Sequence, residues 1–96
     1  VGRAYLIEHY RAGADEEELR RSAAKVRDAV AEMEREGIRV RHLSSTIVGD
    51  DSYLASVLEA SDEGLVREAF RRAGIGVERV SPAIAIPHRA PNPRGQ

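Results

Sequence analysis

Two stretches carry apolar residues at helical spacing, each flanked by stretches that alternate with a period of two. That arrangement decides what this chain can fold into. In the first, Leu19, Ala23, Val26, Val30 and Met33 recur at steps of four, three, four and three, a single stripe along one side of a helix. Asp15 is an N-cap residue, and Glu18 three positions later completes the carboxylate form of a capping box. Glu16, Glu17 and Glu18 add negative charge at the helix's positive end. Glu16/Arg20 and Glu17/Arg21 pair at i,i+4 on the solvent side, and Gly37 suits the left-handed position that ends helices. A second, shorter helix opens on Ser61 as cap. It carries Asp62 and Glu63 in its first turn, an apolar face of Val66, Ala69, Phe70 and Ala73, and Gly74 as its stop.

The flanking stretches read as strands. Residues 3–10 present Tyr5/Ile7/His9 on one face and Ala4/Leu6/Glu8/Tyr10 on the other. Residues 39–48 are rich in β-branched side chains, Gly49-Asp50-Asp51 is turn chemistry, and 52–59 resumes as a strand, which makes a hairpin. A last strand is expected over 80–86, with Pro82 near its start pointing to a sheet edge. The order β-α-β-β-α-β predicts an α+β fold, the ferredoxin-like βαββαβ sandwich, in which an antiparallel sheet carries both helices on one face. Right-handed crossovers place strands one and three in the centre and strands two and four at the edges. Residues 1–87 form this one domain, and 88–96, with Pro91 and Pro93, read as a flexible Pro-rich C-terminal tail.

Composition narrows the functional classes. The 96 residues allow a single compact domain, and a net charge of −1 gives no general attraction to nucleic acid or anionic lipid. With no cysteine there is neither a disulfide framework nor a thiolate metal site nor a thiol nucleophile. No apolar run approaches the roughly 20 residues of a membrane span, and the first ten residues lack the order of a signal peptide, so a cytoplasmic location without membrane contact is expected. Only Tyr5, Tyr10, Tyr53 and Phe70 are aromatic, and the Gly/Phe-rich segment of an RNA-binding sheet is missing.

Two helices cover one face of the sheet, so function is sought on the other. Glu8 sets the parity of strand one, because a carboxylate under the helices would be buried without a partner. Tyr5 and Ile7 then face the helices, with Leu6, Glu8 and Tyr10 on the open side. The same reasoning turns Leu43 and Ile47 of strand two inward and leaves Val40, His42, Ser44 and Thr46 outward. Strand three admits both Tyr53/Ala55/Val57 and Leu54/Ser56/Leu58 as its core set. An open face that is half apolar calls for a cover, which a second copy supplies as a homodimeric α+β barrel enclosing a cavity.

Several segments together resemble a known family: Ala4-Tyr5-Leu6-Ile7-Glu8-His9-Tyr10, Val40-Arg41-His42-Leu43-Ser44-Ser45-Thr46, Glu59-Ala60-Ser61, Val66-Arg67-Glu68-Ala69 and Arg72-Ala73-Gly74. They are similar to a family of small bacterial ferredoxin-like proteins, mostly of unknown function and including a nickel-binding member. The resemblance spans residues 3–86. It implies a dimeric ferredoxin-like subunit, nickel binding as described for one member, and no established enzymatic activity. This chain departs from the pattern in lacking a proline in the turn 48–51 and in carrying His42 where a tyrosine is commoner. No nickel ligand of that family maps onto a particular residue here.

The candidate ligand-binding residues on the open face are Glu8, Tyr10, His42 and Ser44. Nickel or another divalent ion favours imidazole with carboxylate, which makes Glu8 and His42 the candidate metal pair. His9, His42 and His88 have no chelate spacing among them. The expected function is a small homodimeric protein binding a small molecule or a divalent metal, possible nickel included, on its open face. The alternative is a cofactor-independent enzyme of cyclase, isomerase or monooxygenase type acting on a small hydrophobic metabolite. There Glu8 serves as general base, His42 as general acid and Tyr10 as hydrogen-bond donor. A plainer reading gives Glu8 a salt bridge with Arg41 or Arg39 across the interface between two copies. Gly74-Ile75-Gly76 precedes no helix start and is a helix stop, and Arg20-Arg21 and Arg71-Arg72 read as solvated helix faces. Ser44-Ser45-Thr46 has no adjacent base in sequence, which leaves it without support as a nucleophile.

Overall fold

The computed structural model describes residues 2–86. The tail 88–96 and His88 lie outside the described residues. Chain order is β1 (Arg3–Tyr10), α1 (Glu16–Arg35), β2 (Val40–Val48), β3 (Tyr53–Ala60), α2 (Glu63–Ala73) and β4 (Arg79–Ala83), with a 3₁₀ turn at Gly49–Asp51 inside the hairpin. The four strands form one antiparallel sheet in the order β2-β3-β1-β4, so β1 and β3 are central as expected. Two helices on a four-stranded antiparallel sheet make an α+β arrangement consistent with a ferredoxin-like fold.

Local chemistry explains the helix ends. Asp15 accepts a hydrogen bond from the Glu18 backbone N–H at 2.8 Å while the Glu18 side chain accepts from the Asp15 N–H, the reciprocal capping box read from sequence. Gly37 and Gly74 adopt φ of 84° and 72°, a region where any side chain would be strained. The second N-cap is Asp62 rather than Ser61. Its carboxylate reaches the Leu65 N–H at 3.1 Å, whereas Ser61 lies one residue too early to meet that donor.

The core lies between the helices and one sheet face. Val26, Val30 and Met33 of α1 and Val66, Ala69 and Phe70 of α2 pack on Tyr5, Ile7, Val40, Leu58 and Ala60. A smaller cluster of Ala14, Leu19 and Leu54 closes the hairpin end. Strand three thus sends Leu54, Ser56 and Leu58 inward, which settles the parity left open by its sequence. Arg72 of α2 ties the helices together through Glu32 and Glu36 of α1, at 2.8 and 2.7 Å, and Glu68 of its own helix. Those contacts hold the Glu36 and Glu68 carboxyls below the ordinary carboxylate range.

Two strand expectations are corrected. The last strand ends at Ala83 rather than residue 86, because Ala83 pairs with Ala4 beside the start of β1 and no central strand remains to pair further. Ile84 and Ile86 beyond it are exposed. In β2 the register slips between His42, opposite Leu58, and Ser44, opposite Val57, so Leu43 is an extra residue in a β-bulge. The bulge reverses the side-chain parity: Val40 and His42 fall on the helix-facing side, and only Ser44, Thr46 and Val48 continue on the open face. Val40 is accordingly 3% exposed, against the expectation that it points outward.

Phe70, the largest fully buried side chain, joins both helices to the sheet. Phe70→Ala should cost about 3–5 kcal/mol of stability, measured by urea denaturation, because the cavity it leaves has no side chain able to fill it.

Candidate functional site

The pairing registers place Ala4, Leu6, Glu8 and Tyr10 of β1 on the open face with Tyr53, Ala55, Val57 and Glu59 of β3. Arg79, Ser81 and Ala83 join them from β4, and Arg41, Ser44, Thr46 and Val48 from β2. The centre is apolar, formed by Leu6, Val57, Ala55 and Ala4. Charge of both signs sits around it, Glu8 and Arg79 towards one end and Arg41 and Glu59 towards the other. None of the described elements covers this face: both helices pack on the opposite side.

At the hairpin end the chemistry concentrates. Tyr53 donates its phenolic proton to Glu8 Oε1 at 2.7 Å, and Arg79 Nε lies 3.8 Å from Glu8 Oε2. The accepting carboxylate, aided by partial burial, holds the Tyr53 hydroxyl above the usual tyrosine range, so it stays a proton donor. Within one chain the ionic neighbour of Glu8 is therefore Arg79, while Arg41 stands opposite Glu59, two strands away from Glu8. Tyr10 pairs directly across from Tyr53 and is 53% exposed. A groove of about 600 Å³ runs between Tyr10, Val48, Asp50, Asp51, Ser52 and Tyr53. Ser52 lines it in the left-handed region (φ 51°), held by its hydroxyl bond to the Ala14 carbonyl at 2.9 Å and by the Arg11 N–H on its own carbonyl. Tyr53, Asp50, Asp51 and Ser52 were not among the residues picked from sequence. The ambiguous parity of β3 concealed Tyr53, whereas the turn Gly49-Asp50-Asp51 beside Tyr10 was a usable signal.

The structure does not bring the four expected residues together. Glu8, Tyr10 and Ser44 share the open face, with Ser44 in the row of Leu6 and Val57 and two strands from β1. His42 is on the other side. Its Nε2 lies 2.8 Å from Ser45 Oγ, which lies 3.0 Å from Ser56 Oγ in the core. Glu8 and His42 are separated by the sheet itself and cannot share a metal ion. Among the described residues no group of three or more His, Asp or Glu side chains is arranged to hold one. His9 is equally internal, its Nδ1 2.7 Å from the Gly76 carbonyl.

The hydrogen-bond chain from His42 ends in the core. Ser56 is fully buried and its Oγ meets Ser45 Oγ, and either hydroxyl can supply the proton between them. Ser45 Oγ in turn meets His42 Nε2, which can accept the Ser45 proton when the imidazole is neutral with its own proton on Nδ1. Burial, with the charge of Arg27 on α1 adding to it, pushes the His42 pKa below its ordinary 6.5 and favours the neutral ring.

No family model matches the chain, and no curated protein matches it. Among solved structures, the crystal structure of SCO4226 from Streptomyces coelicolor A3(2) is similar, with a TM-score of 0.64 and 15% sequence identity. The match covers 91% of this chain and 99% of that one, and at this identity it shows the shared fold alone. No helix of the described residues is long and apolar enough to cross a membrane.

The neutral His42 makes stability depend on pH. Below pH 6.5 the unfolded chain binds a proton at His42 that the folded chain refuses, so the unfolded state is favoured as pH falls. The stabilisation is complete above pH 6.5 and is lost as pH drops through the lowered folded value. Urea midpoints of the wild type should therefore fall between pH 7 and pH 5 more steeply than those of His42→Gln, and equal slopes would contradict this account.

Proposed function

We propose that this protein is a small homodimeric binding protein that holds an organic ligand on the open face of its sheet. The observation that carries the reading is the Tyr53–Glu8 hydrogen bond, at 2.7 Å, on a sheet face that nothing in the described chain covers, beside the groove at Tyr10. Burying one face of a four-stranded sheet under helices leaves Leu6 and Val57 with apolar surface to lose. Both are already part-buried, so covering what remains contributes at most about 1 kcal/mol each. A second copy laid face to face supplies that cover, and the mixed charges at the rim allow a two-fold axis to set Glu8 and Arg79, or Arg41 and Glu59, opposite their counterparts. The pairing of two such sheets is the dimeric α+β barrel. The resemblance of the whole chain to small dimeric bacterial ferredoxin-like proteins supports the same assembly.

The groove selects its ligand by chemistry. Tyr10, Tyr53 and Val48 offer flat apolar contact and the Asp50 and Asp51 carboxylates offer acceptors, while Glu8 stands behind Tyr53 as its hydrogen-bond partner. A small molecule with an aromatic or aliphatic body and an amine or other donor group fits, and an anion does not. Nickel held jointly by Glu8 and His42 is not part of this reading, since the two residues are on opposite faces. The enzymatic alternative is the weaker fit: Glu8 has one oxygen engaged by Tyr53 and the other facing Arg79, the environment of a hydrogen-bond acceptor rather than of a base awaiting a proton.

Light scattering at micromolar concentration should return twice the 10.6 kDa chain mass, and Leu6→Asp should return a monomer that keeps its helical circular dichroism. A wild type that runs as a monomer overturns the assembly. In NMR titrations, benzylamine should shift the resonances of Tyr10, Val48, Ser52 and Tyr53 at concentrations where benzoate does not. Glu8→Gln or Tyr10→Ala should weaken that response severalfold.

A further inference from the structure

The contact that joins His42, Ser45 and Ser56 has the parts of an activated nucleophile, and it is independent of the open face. We propose that Ser45 is a nucleophile for acyl transfer, with His42 as its general base, on the helix-facing side of the edge strand β2. Three observations carry this. The Ser45 hydroxyl lies 2.8 Å from His42 Nε2, within reach for proton transfer. The Ser45 side chain is anchored from below, because its Oγ lies 3.0 Å from the Oγ of fully buried Ser56. Neither side chain is fully enclosed, both Ser45 and His42 being only half-buried on β2, which lies at the edge of the sheet among the described residues.

The bulge at Leu43 is what creates the dyad. In a regular strand, residues three apart point to opposite faces, so His42 and Ser45 would never meet. With one extra residue inserted, both fall on the same side. Ser56 acts as a positioning residue. The charge of Arg27 on α1 adds to burial in disfavouring a protonated resting imidazole.

The reaction class is the hydrolysis of small activated esters. Ser45 Oγ attacks the ester carbonyl carbon as its proton passes to His42 Nε2. The tetrahedral adduct collapses, the bond to the leaving oxygen breaks, and that oxygen departs as an alcohol or phenol with the proton from His42. Water, deprotonated by His42, then cleaves the Ser45 ester, releasing the acid and restoring the hydroxyl. One ester and one water give one acid and one alcohol, and no metal or redox partner takes part.

The test uses p-nitrophenyl acetate, with peptide mapping by mass spectrometry. The expected result is an acetyl group on Ser45. Its formation should follow a sigmoidal pH profile that levels off once His42 is neutral, and should slow about 100-fold in His42→Gln. Acetylation confined to Lys25 or the tyrosines and unchanged in Ser45→Ala would overturn the assignment. So would a rate that climbs in proportion to hydroxide without levelling. A second pair of variants guards against loss of the fold. The chain has no cysteine, so Ser45→Cys and Ser44→Cys each introduce a single thiol, one beside His42 and one on the opposite face. At pH 6, iodoacetamide should alkylate Ser45→Cys about tenfold faster than Ser44→Cys in folded protein, because imidazole favours the thiolate. Equal rates would remove the activated site.

Discussion

The sheet of this protein has two faces and only one layer of helices, and the alternation of side chains along each strand assigns every residue to one face or the other. Everything described above depends on that division. Tyr5, Ile7, Leu54 and Leu58 go beneath α1 and α2, and with them goes the stability of the chain. Leu6, Val57, Glu8 and Tyr53 go to the side that no helix reaches. A strand of perfect regularity would carry the division to the sheet edge unchanged. β2 does not, because Leu43 interrupts it, and past that point every side chain swaps sides relative to Val40.

The helices were legible because their signals are local. A stripe at steps of three and four, an Asp with a Glu three residues on, and a terminal glycine are all read within one turn of the residue concerned, and α1 follows them to its caps. The strand order followed from handedness. What sequence reading could not reach depends on register, which is a relation between distant segments. Glu8 finds Arg79 because β4 pairs beside β1 at that position, and nothing near Glu8 in sequence says so. Tyr53 was hidden because both parities of β3 offered apolar residues, and only the packing of Leu54 and Leu58 under the helices decides between them. The bulge left a faint trace: Val40 and Leu43 both suit a core yet are three residues apart, a spacing that a regular strand cannot bury on one face.

The same bulge separates two chemistries by the thickness of the sheet. The open face gathers acceptors and phenols at its hairpin end. The helix-facing side carries a chain of hydroxyls ending on a neutral imidazole. Ser56 lies at the bottom of that chain, fully buried, and owes its satisfied hydrogen bond to a residue on the edge strand. Among the described residues no buried side-chain polar atom lacks a partner, so the relay is complete as built.

Both rims of the sheet are also interrupted. Pro82 gives β4 a residue with no N–H to offer a neighbouring chain, and the bulge breaks the hydrogen-bonding rhythm of β2. A sheet with two clean rims is a template on which further chains stack end to end into filaments. Here neither rim presents an unbroken ladder, so growth in the sheet plane is discouraged in both directions. Association across the broad face, by contrast, would be two-fold and would close after one partner.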